Sequence, residues 1–290
     1  MKPINKMLET LIDRSEDADI LTPELNRLYG GALAFPKPPP ERPFTMVNFV
    51  TTLEGLTSFA LPGQAGGGDI SAFNGQDKFI MGVLRAIADG VAVGANTLRT
   101  EGEHLWTPDY ISPDHASLYT ELRSKLKKKQ PQPVNIFVTA SGRILPVNGT
   151  LPVVFETKDV ETLILTTKNG KQVAEKEFAG HPRKPRVVAF GSGEKNVDLQ
   201  AAFRYLRREA GISFLLIEGG ASFNGAIVEA ELYDELLLTR APQVIGTSVN
   251  LTRPLFVNGF SRSPATALWH TLVSVKVSGD YLFERYRRQI

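Results

Sequence analysis

LRAIADGVAVGANTLR, at residues 84–99, is the most informative segment of this chain about its fold. Apolar residues at helical spacing over residues 76–88 predict a helix, and the short apolar run at residues 90–93 predicts a strand that ends at Gly94. A second stretch, LLIEGGASFN at residues 215–224, repeats the passage from a buried strand through glycine into a helix. Two such units in one chain favour a sheet of parallel strands with helices packed on it.

The rest of the chain extends this alternation of strands and helices. Further strands are predicted at residues 44–52, 134–139, 162–167, 186–190 and 213–217, with helices at 115–129, 169–178, 198–210 and 221–230. The last part changes to three strands, at residues 235–241, 268–277 and 281–287, of which the last two resemble an antiparallel hairpin. The pattern predicts a three-layer α/β/α fold with a mixed, mostly parallel sheet and an antiparallel C-terminal hairpin.

Residues 1–43 form an extension before the main α/β domain, which we place at residues 44–290. Met7, Leu8, Leu11 and Ile12 sit at helical spacing and residues 20–28 follow, which predicts two short amphipathic helices. Five prolines at residues 35–43 then exclude both helix and central strand. The extension is either a passive leader that packs on the surface, which we favour, or a dimer arm or lid.

The bulk composition is that of an ordinary globular protein. The 290 residues include 33 basic and 31 acidic side chains, so the net charge of +2 gives no reason to expect nucleic-acid or membrane binding. No cysteine is present, which excludes disulfides and thiolate chemistry. The four histidines are scattered, so no metal site is expected. Residues 1–20 hold no signal-peptide core, and no apolar run is long enough to span a membrane, which indicates a cytoplasmic protein.

Two strand-to-helix turns could bind phosphate. After the strand that ends at Ile217, the segment Glu218-Gly219-Gly220-Ala221-Ser222 opens a helix, whose free N–H groups suit a phosphate. A plain tight turn explains the glycines equally well, and the third glycine of the usual dinucleotide motif is absent. The other turn contains Gly94, Ala95, Thr97 and Arg99; taken alone it is better explained as a capped helix with a surface arginine.

A third turn follows the strand at residues 134–139. Thr139, Ser141, Gly142 and Arg143 could together hold the 2′-phosphate that distinguishes NADPH from NADH, although an ordinary polar turn is the simpler interpretation. Glu54 follows the buried strand at residues 44–52. It is either a carboxylate in solvent or a partly desolvated group that relays a proton or binds a ring N–H.

Several of these segments together resemble the reductase domain of bacterial riboflavin biosynthesis, the pyrimidine-reductase branch of the dihydrofolate-reductase-like fold. The resemblance extends over about residues 42–290. It is carried by TTLEG at 51–55, IS at 70–71, LRAxADGVxVGAxTLR at 84–99, LIEGGAxFN at 216–224 and LxDELxLTxAP at 232–242. The resemblance implies NADPH as the cofactor, a homodimer, and reduction of a ribosylaminopyrimidine phosphate to the ribitylamino form.

The motifs and the resemblance together predict roles for individual residues. The cofactor would meet Gly94, Ala95, Thr97, Arg99, Thr139, Ser141, Gly142, Arg143, Gly219, Gly220, Ala221 and Ser222. The substrate would meet Asn48, Thr52, Ser71 and Arg85, with Arg85 and Ser71 receiving its phosphate. The catalytic carboxylates would be Glu54, Glu101 and Glu218.

The chain departs from that family in ways that leave two alternatives open. Glu54 and Leu56 stand where the family has aspartate and a basic residue, and Glu101-Gly102-Glu103 replaces an Asp-Asp-Pro run. The extension has no counterpart, and without cysteine the zinc site of the deaminase domain often fused upstream cannot be built. The alternatives are a non-catalytic NADPH-binding paralogue and a dihydrofolate-type or other small-molecule reductase on the same fold.

Overall fold

The computed structural model describes residues 8–146, 148–191 and 196–289. Its strands form one sheet. They are β1 (Glu9–Asp13), β2 (Phe44–Thr51), β3 (Gly90–Gly94), β4 (Val134–Val138), β5 (Thr162–Thr166), β6 (Arg186–Ala189), β7 (Phe214–Ile217), β8 (Glu235–Arg240), β9 (His270–Ser278) and β10 (Tyr281–Arg288). Their order across the sheet is β1-β9-β10-β8-β2-β7-β3-β4-β5-β6.

Helices connect most of the strands. They are α1 (Pro23–Tyr29), α2 (Gly67–Ile70), α3 (Gly75–Ile87), α4 (Ala95–Thr100), α5 (Pro108–Ile111), α6 (Ala116–Lys125), α7 (Lys168–Glu177), α8 (Leu199–Arg208) and α9 (Ala221–Glu229). Local signals fix several of their ends: the Asp198 side chain accepts a hydrogen bond from the Ala201 N–H at the start of α8, and Asn74 caps α3 in the same way.

Strands β2 to β8 all pair in parallel, whereas β8, β10, β9 and β1 pair antiparallel. The mixed, mostly parallel sheet with a C-terminal hairpin is therefore confirmed. Because parallel strands share a direction, the carboxyl ends of β3, β4 and β7 lie at one edge of the sheet, where ligands bind in open α/β sheets.

Alternate side chains of the central strands pack into two separate cores, one on each face of the sheet. In β3, Val91 and Val93 belong to the first core and Ala92 to the second. In β7, Leu216 belongs to the first core, whereas Leu215 and Ile217 belong to the second. Helices α3 and α6 cover the first face, and α8 and α9 cover the second. This period-2 alternation with buried side chains on both faces produces the three-layer architecture.

The predicted helix near residues 7–12 is wrong. In the described part of that segment, β1 forms the edge strand beside β9, with Glu9 opposite Val277 and Asp13 opposite Ser274; Met7 lies outside the described residues. The apolar spacing fits a helical period, but the open edge of the hairpin offers backbone partners that so short a helix cannot match. The second predicted helix corresponds to α1.

The extension packs into the main core and also supplies acceptors for buried cations of the hairpin. Leu25, Leu33 and other residues of this segment are fully buried in the same core as α3. The Lys276 ammonium, 1% exposed, donates to Thr10 Oγ1 at 2.5 Å and to the Gly30 carbonyl at 3.1 Å. Removing the extension would leave Lys276 without these partners, so the extension contributes to the stability of the hairpin.

Candidate active site

A cavity of about 1670 Å³ opens along the carboxyl ends of the central strands. Pockets that hold one small ligand usually measure ~300–1,000 Å³, so this cavity has room for a cofactor and a second molecule. Residues of β2, β3 and β4, and residues of the loops that follow these strands and β7, line it. Among the described residues, no helix has the length and apolar character needed to cross a membrane.

The two glycine turns meet at the middle of this cavity. The Gly94 N–H donates to the Gly219 carbonyl at 2.9 Å, and a Cβ placed on Gly220 would lie 3.2 Å from Thr97 Oγ1. A side chain at residue 220 would therefore press against Thr97. The N-termini of α4 and α9 thus lie side by side behind a surface of bare backbone, with Ala95, Ala221 and Ser222 on the cavity wall.

The third turn is fixed against the start of α7, at one end of the cavity. Gly142 has φ +75°, and a Cβ there would lie 1.8 Å from the Gly170 carbonyl oxygen, so only glycine fits. Thr139 lines the cavity, whereas Ser141, Gly142 and Arg143 lie outside its lining residues. Arg99 donates from Nη1 to the Arg143 carbonyl at 2.7 Å, which places the cation of Arg99 beside the backbone of this turn.

A buried ion pair lies beneath the glycine turns. Arg85 on α3 and Glu218 after β7 approach to 2.7 Å between Nη2 and Oε2, and their side chains are 1% and 3% exposed. The Arg85 Nε–H points at both Glu218 oxygens at 3.1 Å. Nη1 donates to the carbonyls of Leu105 and Thr107, at 3.2 and 3.1 Å. Nη2 also meets His104 Nε2 at 3.0 Å.

All five N–H groups of Arg85 therefore have partners within the protein. Although Arg85 borders the cavity, a substrate phosphate could bind its guanidinium only by displacing one of these buried acceptors. The geometry thus points to a structural role for Arg85: it neutralises Glu218 and holds the loop that contains residues 104–107. Its predicted contact with the substrate phosphate gains no support from this arrangement.

Glu101, a predicted catalytic residue, borders the cavity next to this pair. Its side chain is one-third exposed, and its Oε2 lies 3.8 Å from His104 Nδ1. Burial raises the pKa of Glu101; Arg85 lowers it, and the carboxylates of Glu218 and Asp69 raise it again. A carboxyl group that keeps its proton closer to neutral pH is suited to donate that proton to a bound substrate.

Glu54, also predicted as catalytic, lies outside the lining of the cavity. Its Oε1 accepts hydrogen bonds from the N–H groups of Ile245 and Gly246, at 2.7 and 2.9 Å. Slight burial raises the pKa of this exposed carboxyl, but hydrogen bonds from Thr52, Gly246 and Ile245 outweigh that effect and lower it to about 2. The structure therefore places Glu54 as an anchor for the loop that follows Ala241.

The predicted substrate residues separate into two groups. Asn48 and Ser71 border the cavity and are almost fully buried. Thr52 is fully buried outside the lining, where its Oγ1 accepts from the Leu56 N–H at 3.1 Å, so it shapes the turn that contains Glu54.

Sequence reasoning missed four side chains that line the cavity: Phe73, Asp77, Lys78 and His104. Asp77 is buried and accepts from Thr239 Oγ1 at 2.6 Å. Lys78 lies over the exposed Phe73 ring, 5.3 Å from its centroid, and forms none of the ion pairs found among the described residues. None of the four belongs to a recognisable sequence motif. The only signal was the position of residues 77 and 78 in the first turn of α3, where that helix begins at the cavity.

One wall of the cavity comes from the long segment after β8, which contributes Pro254 and Asn258. Asn258 donates its N–H to the Ala221 carbonyl at 3.2 Å, and a Cβ on Gly225 would lie 1.8 Å from the Asn258 carbonyl oxygen. The Phe256 ring meets Phe49 of β2 at 5.6 Å between centroids. This segment therefore packs directly on α9 and closes one side of the cavity.

Comparison with known proteins identifies the family of this chain. Residues 43–276 match the family model described as the RibD C-terminal domain. A relative from Archaeoglobus fulgidus is 26% identical over 207 residues, which is 71% of this chain and 83% of the relative. That relative is named 2,5-diamino-6-ribosylamino-4(3H)-pyrimidinone 5′-phosphate reductase.

Solved structures of similar proteins share the fold. The Corynebacterium diphtheriae pyrimidine reductase-like protein superimposes with a TM-score of 0.61 at 20% identity, over 86% of this chain and 92% of its own. Acinetobacter baumannii RibD gives a TM-score of 0.60 at 18% identity over 86% of this chain, which spans only 59% of that longer protein. With four-fifths of its length matched by the family model, this chain belongs to the RibD C-terminal domain family of reductases.

Proposed function

We propose that this protein is an NADPH-dependent reductase that converts a ribosylaminopyrimidine 5′-phosphate to its ribitylamino form. The observation that carries the proposal is the juxtaposition of bare glycine backbone at Gly94 and Gly219 with the carboxyl group of Glu101 in one cavity. The first feature suits a dinucleotide, and the second suits the proton transfer that a reduction requires. The name of the Archaeoglobus fulgidus relative supports the choice of substrate.

The residues present fit a dinucleotide. Glycine at residue 220 leaves the space beside Thr97 that a Cβ would fill, so a pyrophosphate can approach the backbone closely. The N-termini of α4 and α9 direct N–H groups and a partial positive charge to the same place. Arg99 and Thr139 border the cavity, and Arg99 bonds to the backbone of Arg143 just outside it, so either arginine would meet the 2′-phosphate of NADPH at this end.

When bound, the cofactor supplies a hydride from the nicotinamide ring. In a glycosylamine the hydride forms a C–H bond at the anomeric carbon, the bond from that carbon to the ring oxygen breaks, and the released oxygen takes a proton. The protein must therefore supply one proton for each turnover. We assign this role to Glu101, since its carboxyl group borders the cavity and burial favours its protonated form.

Asn48 and Ser71 would bind the pyrimidine and sugar from the side of β2 and α2. Lys78 would receive the substrate phosphate in place of Arg85, because its ammonium borders the cavity and carries no ion pair among the described residues. Phe73, 60% exposed beside Lys78, offers a ring face to a planar heterocycle. Glu218 would have a structural role: its ion pair with Arg85 would hold the glycine turn in place.

The proposal is tested by titrating the protein with NADPH and with NADH and following nicotinamide fluorescence. We expect NADPH to bind at least tenfold more tightly. Arg143→Ala should weaken NADPH binding about 10–100-fold, the loss of one charge-assisted contact, and leave NADH unchanged. Arg27→Ala is the matched control, since this exposed arginine has Glu24, on its own helix, as its ion-pair partner within the described part of the chain.

Turnover with ribosylaminopyrimidine 5′-phosphate then tests the reaction. Oxidation of NADPH that depends on this substrate would support the proposal. Tight NADPH binding with no turnover would refute it and favour a non-catalytic paralogue, and no binding of either dinucleotide would refute the cofactor assignment as well.

We further propose that the protein is a cytoplasmic homodimer. Exposed apolar side chains gather where the turn after β2 meets the segment after β8: Leu53, Val244, Val249 and Leu255 are 49–98% exposed. The two segments are joined by the Leu53 N–H, which donates to the Gln243 carbonyl at 3.0 Å. An apolar patch of this kind suits a contact with a second copy, and sedimentation equilibrium measures the mass.

A further inference from the structure

His104 occupies a position between the buried ion pair and the cavity that the proposed function does not yet use. Its side chain is 18% exposed, and its ring packs against Trp106 and Tyr110, with centroid distances of 4.9 and 4.7 Å. Two aromatic neighbours and the Arg85 contact hold the imidazole in one orientation. The ring is therefore fixed with one nitrogen toward Arg85 and the other toward Glu101.

The contact with Arg85 determines the tautomer of this histidine. A guanidinium can only donate, so His104 Nε2, 3.0 Å from Arg85 Nη2, must accept. A neutral imidazole then carries its proton on Nδ1. Burial lowers the pKa of His104, and the neighbouring charge of Arg85 lowers it further, to about 2, so the ring stays neutral at physiological pH.

The Nδ1–H group of His104 consequently faces Glu101. The distance from Nδ1 to Glu101 Oε2 is 3.8 Å, slightly beyond a hydrogen bond. Active-site contacts of this kind commonly shorten when substrate binds. The other charged groups that act on Glu101 are Asp69 from α2, Arg85 from α3 and Glu218 after β7. The negative charges of Asp69 and Glu218 disfavour a negative charge on Glu101. A hydrogen-bond donor from His104 would offset their effect.

We propose that His104 is a positioning residue for proton transfer: its Nδ1–H orients the Glu101 carboxyl group and stabilises the carboxylate formed when that group gives up its proton. The assignment rests on the proposed function. The O–H bond of Glu101 breaks as the sugar ring oxygen gains the proton, and the new carboxylate accepts the hydrogen bond from neutral His104. Arg85 fixes the tautomer of His104. A chain of polar contacts therefore connects Glu218, Arg85, His104 and Glu101, and Glu101 alone transfers a proton.

Two amide substitutions separate the two nitrogens of the imidazole. In His104→Asn the amide lies near the position of Nδ1 and can still donate to Glu101. In His104→Gln the amide lies near the position of Nε2 and can still accept from Arg85, but the donor toward Glu101 is lost. Because both changes truncate the ring and remove its aromatic contacts, they serve as controls for each other.

We expect His104→Gln to lower kcat by tenfold or more, with KM and NADPH affinity within about threefold of the unaltered protein. Its pH profile should move as well. Glu101 acts in its protonated form, so activity falls as pH rises through its pKa. Loss of the donor raises the pKa of Glu101 and moves this alkaline limb to higher pH. His104→Asn should restore most of kcat and the original limb.

A second measurement is independent of turnover. The Glu101 carboxyl group is titrated by ¹³C NMR in glutamate-labelled protein with NADP⁺ bound, and Glu101→Gln assigns the signal. We expect a higher pKa of Glu101 in His104→Gln and an unchanged one in His104→Asn. Equal changes in both variants, or none in either, would overturn the proposal. If the unaltered protein has no reductase activity, the proposed function fails, while the titration still decides the role of His104.

Discussion

Replacing Arg85 by methionine tests whether the buried ion pair is structural. The substitution leaves the Glu218 carboxylate, 3% exposed, without its partner, and also removes the donor from His104 and from two backbone carbonyls. Removing one partner of a buried pair costs about 3–5 kcal/mol, because the remaining charge stays desolvated. For 290 residues the entropy of unfolding is about 0.6 kcal/mol/K, so Tm should fall by about 5–8 °C.

Differential scanning calorimetry of Arg85→Met, Glu218→Leu and the double variant makes the test specific. If the cost comes from an uncompensated charge, the double variant should be closer in Tm to the unaltered protein than either single variant is, because it buries no charge. Recovery should be incomplete, since the carbonyls of Leu105 and Thr107 still lack a donor. A Tm loss below about 2 °C in Arg85→Met, or a double variant whose Tm loss equals the sum of the two single losses, would contradict a structural role for the ion pair.

Two further predictions follow from the carboxyl groups. Glu101→Gln should lower kcat/KM by more than about 100-fold, the usual contribution of a general acid, whereas Glu54→Gln should lower it by less than about tenfold, or 1.4 kcal/mol. Steady-state kinetics measure both losses. Equal losses would contradict the assignment of Glu101 as the proton donor. Burial raises the pKa of Asp77 above its unfolded value despite hydrogen bonds from Thr239 and Ser71, so its contribution to stability is lost as pH rises from the unfolded pKa toward the folded one. The Asp77→Asn variant should therefore have a higher Tm than the unaltered protein at neutral pH and lose that advantage in acid. A Tm difference that does not change with pH would contradict this prediction.

The sequence predicted most of the sheet because its signals are local. A buried strand that runs into glycine and then a capped helix contains its own start and stop, and so β3, β7, α8 and α9 are found within two residues of their predicted ends. Strand β1 could not be predicted in this way. Its partner, β9, is about 260 residues away, and only the completed hairpin offers the edge that makes Glu9–Asp13 extended.

The same distinction between local and distant information applies to the site. The glycine turns are local motifs, and the structure brings Gly94 and Gly219 together as parallel strands require. The partners of a charged side chain are not local: Arg85 and Glu218 are 133 residues apart, and the sequence does not say which acceptor a given arginine will meet. Arg85 was therefore predicted to bind a substrate phosphate, although the structure has all of its donors engaged.

The carboxyl groups of the cavity pose a problem that burial itself resolves. Asp69, Asp77, Glu101 and Glu218 all line the cavity, and four negative charges would repel a phosphorylated substrate. Glu218 is neutralised by Arg85, and desolvation raises the pKa of both Asp77 and Glu101, so each carboxyl group keeps its proton to a higher pH than it would in solvent. The desolvation that favours the protonated form of Glu101 for transfer therefore also reduces the repulsion of an anionic substrate, and the two effects should weaken together as pH rises.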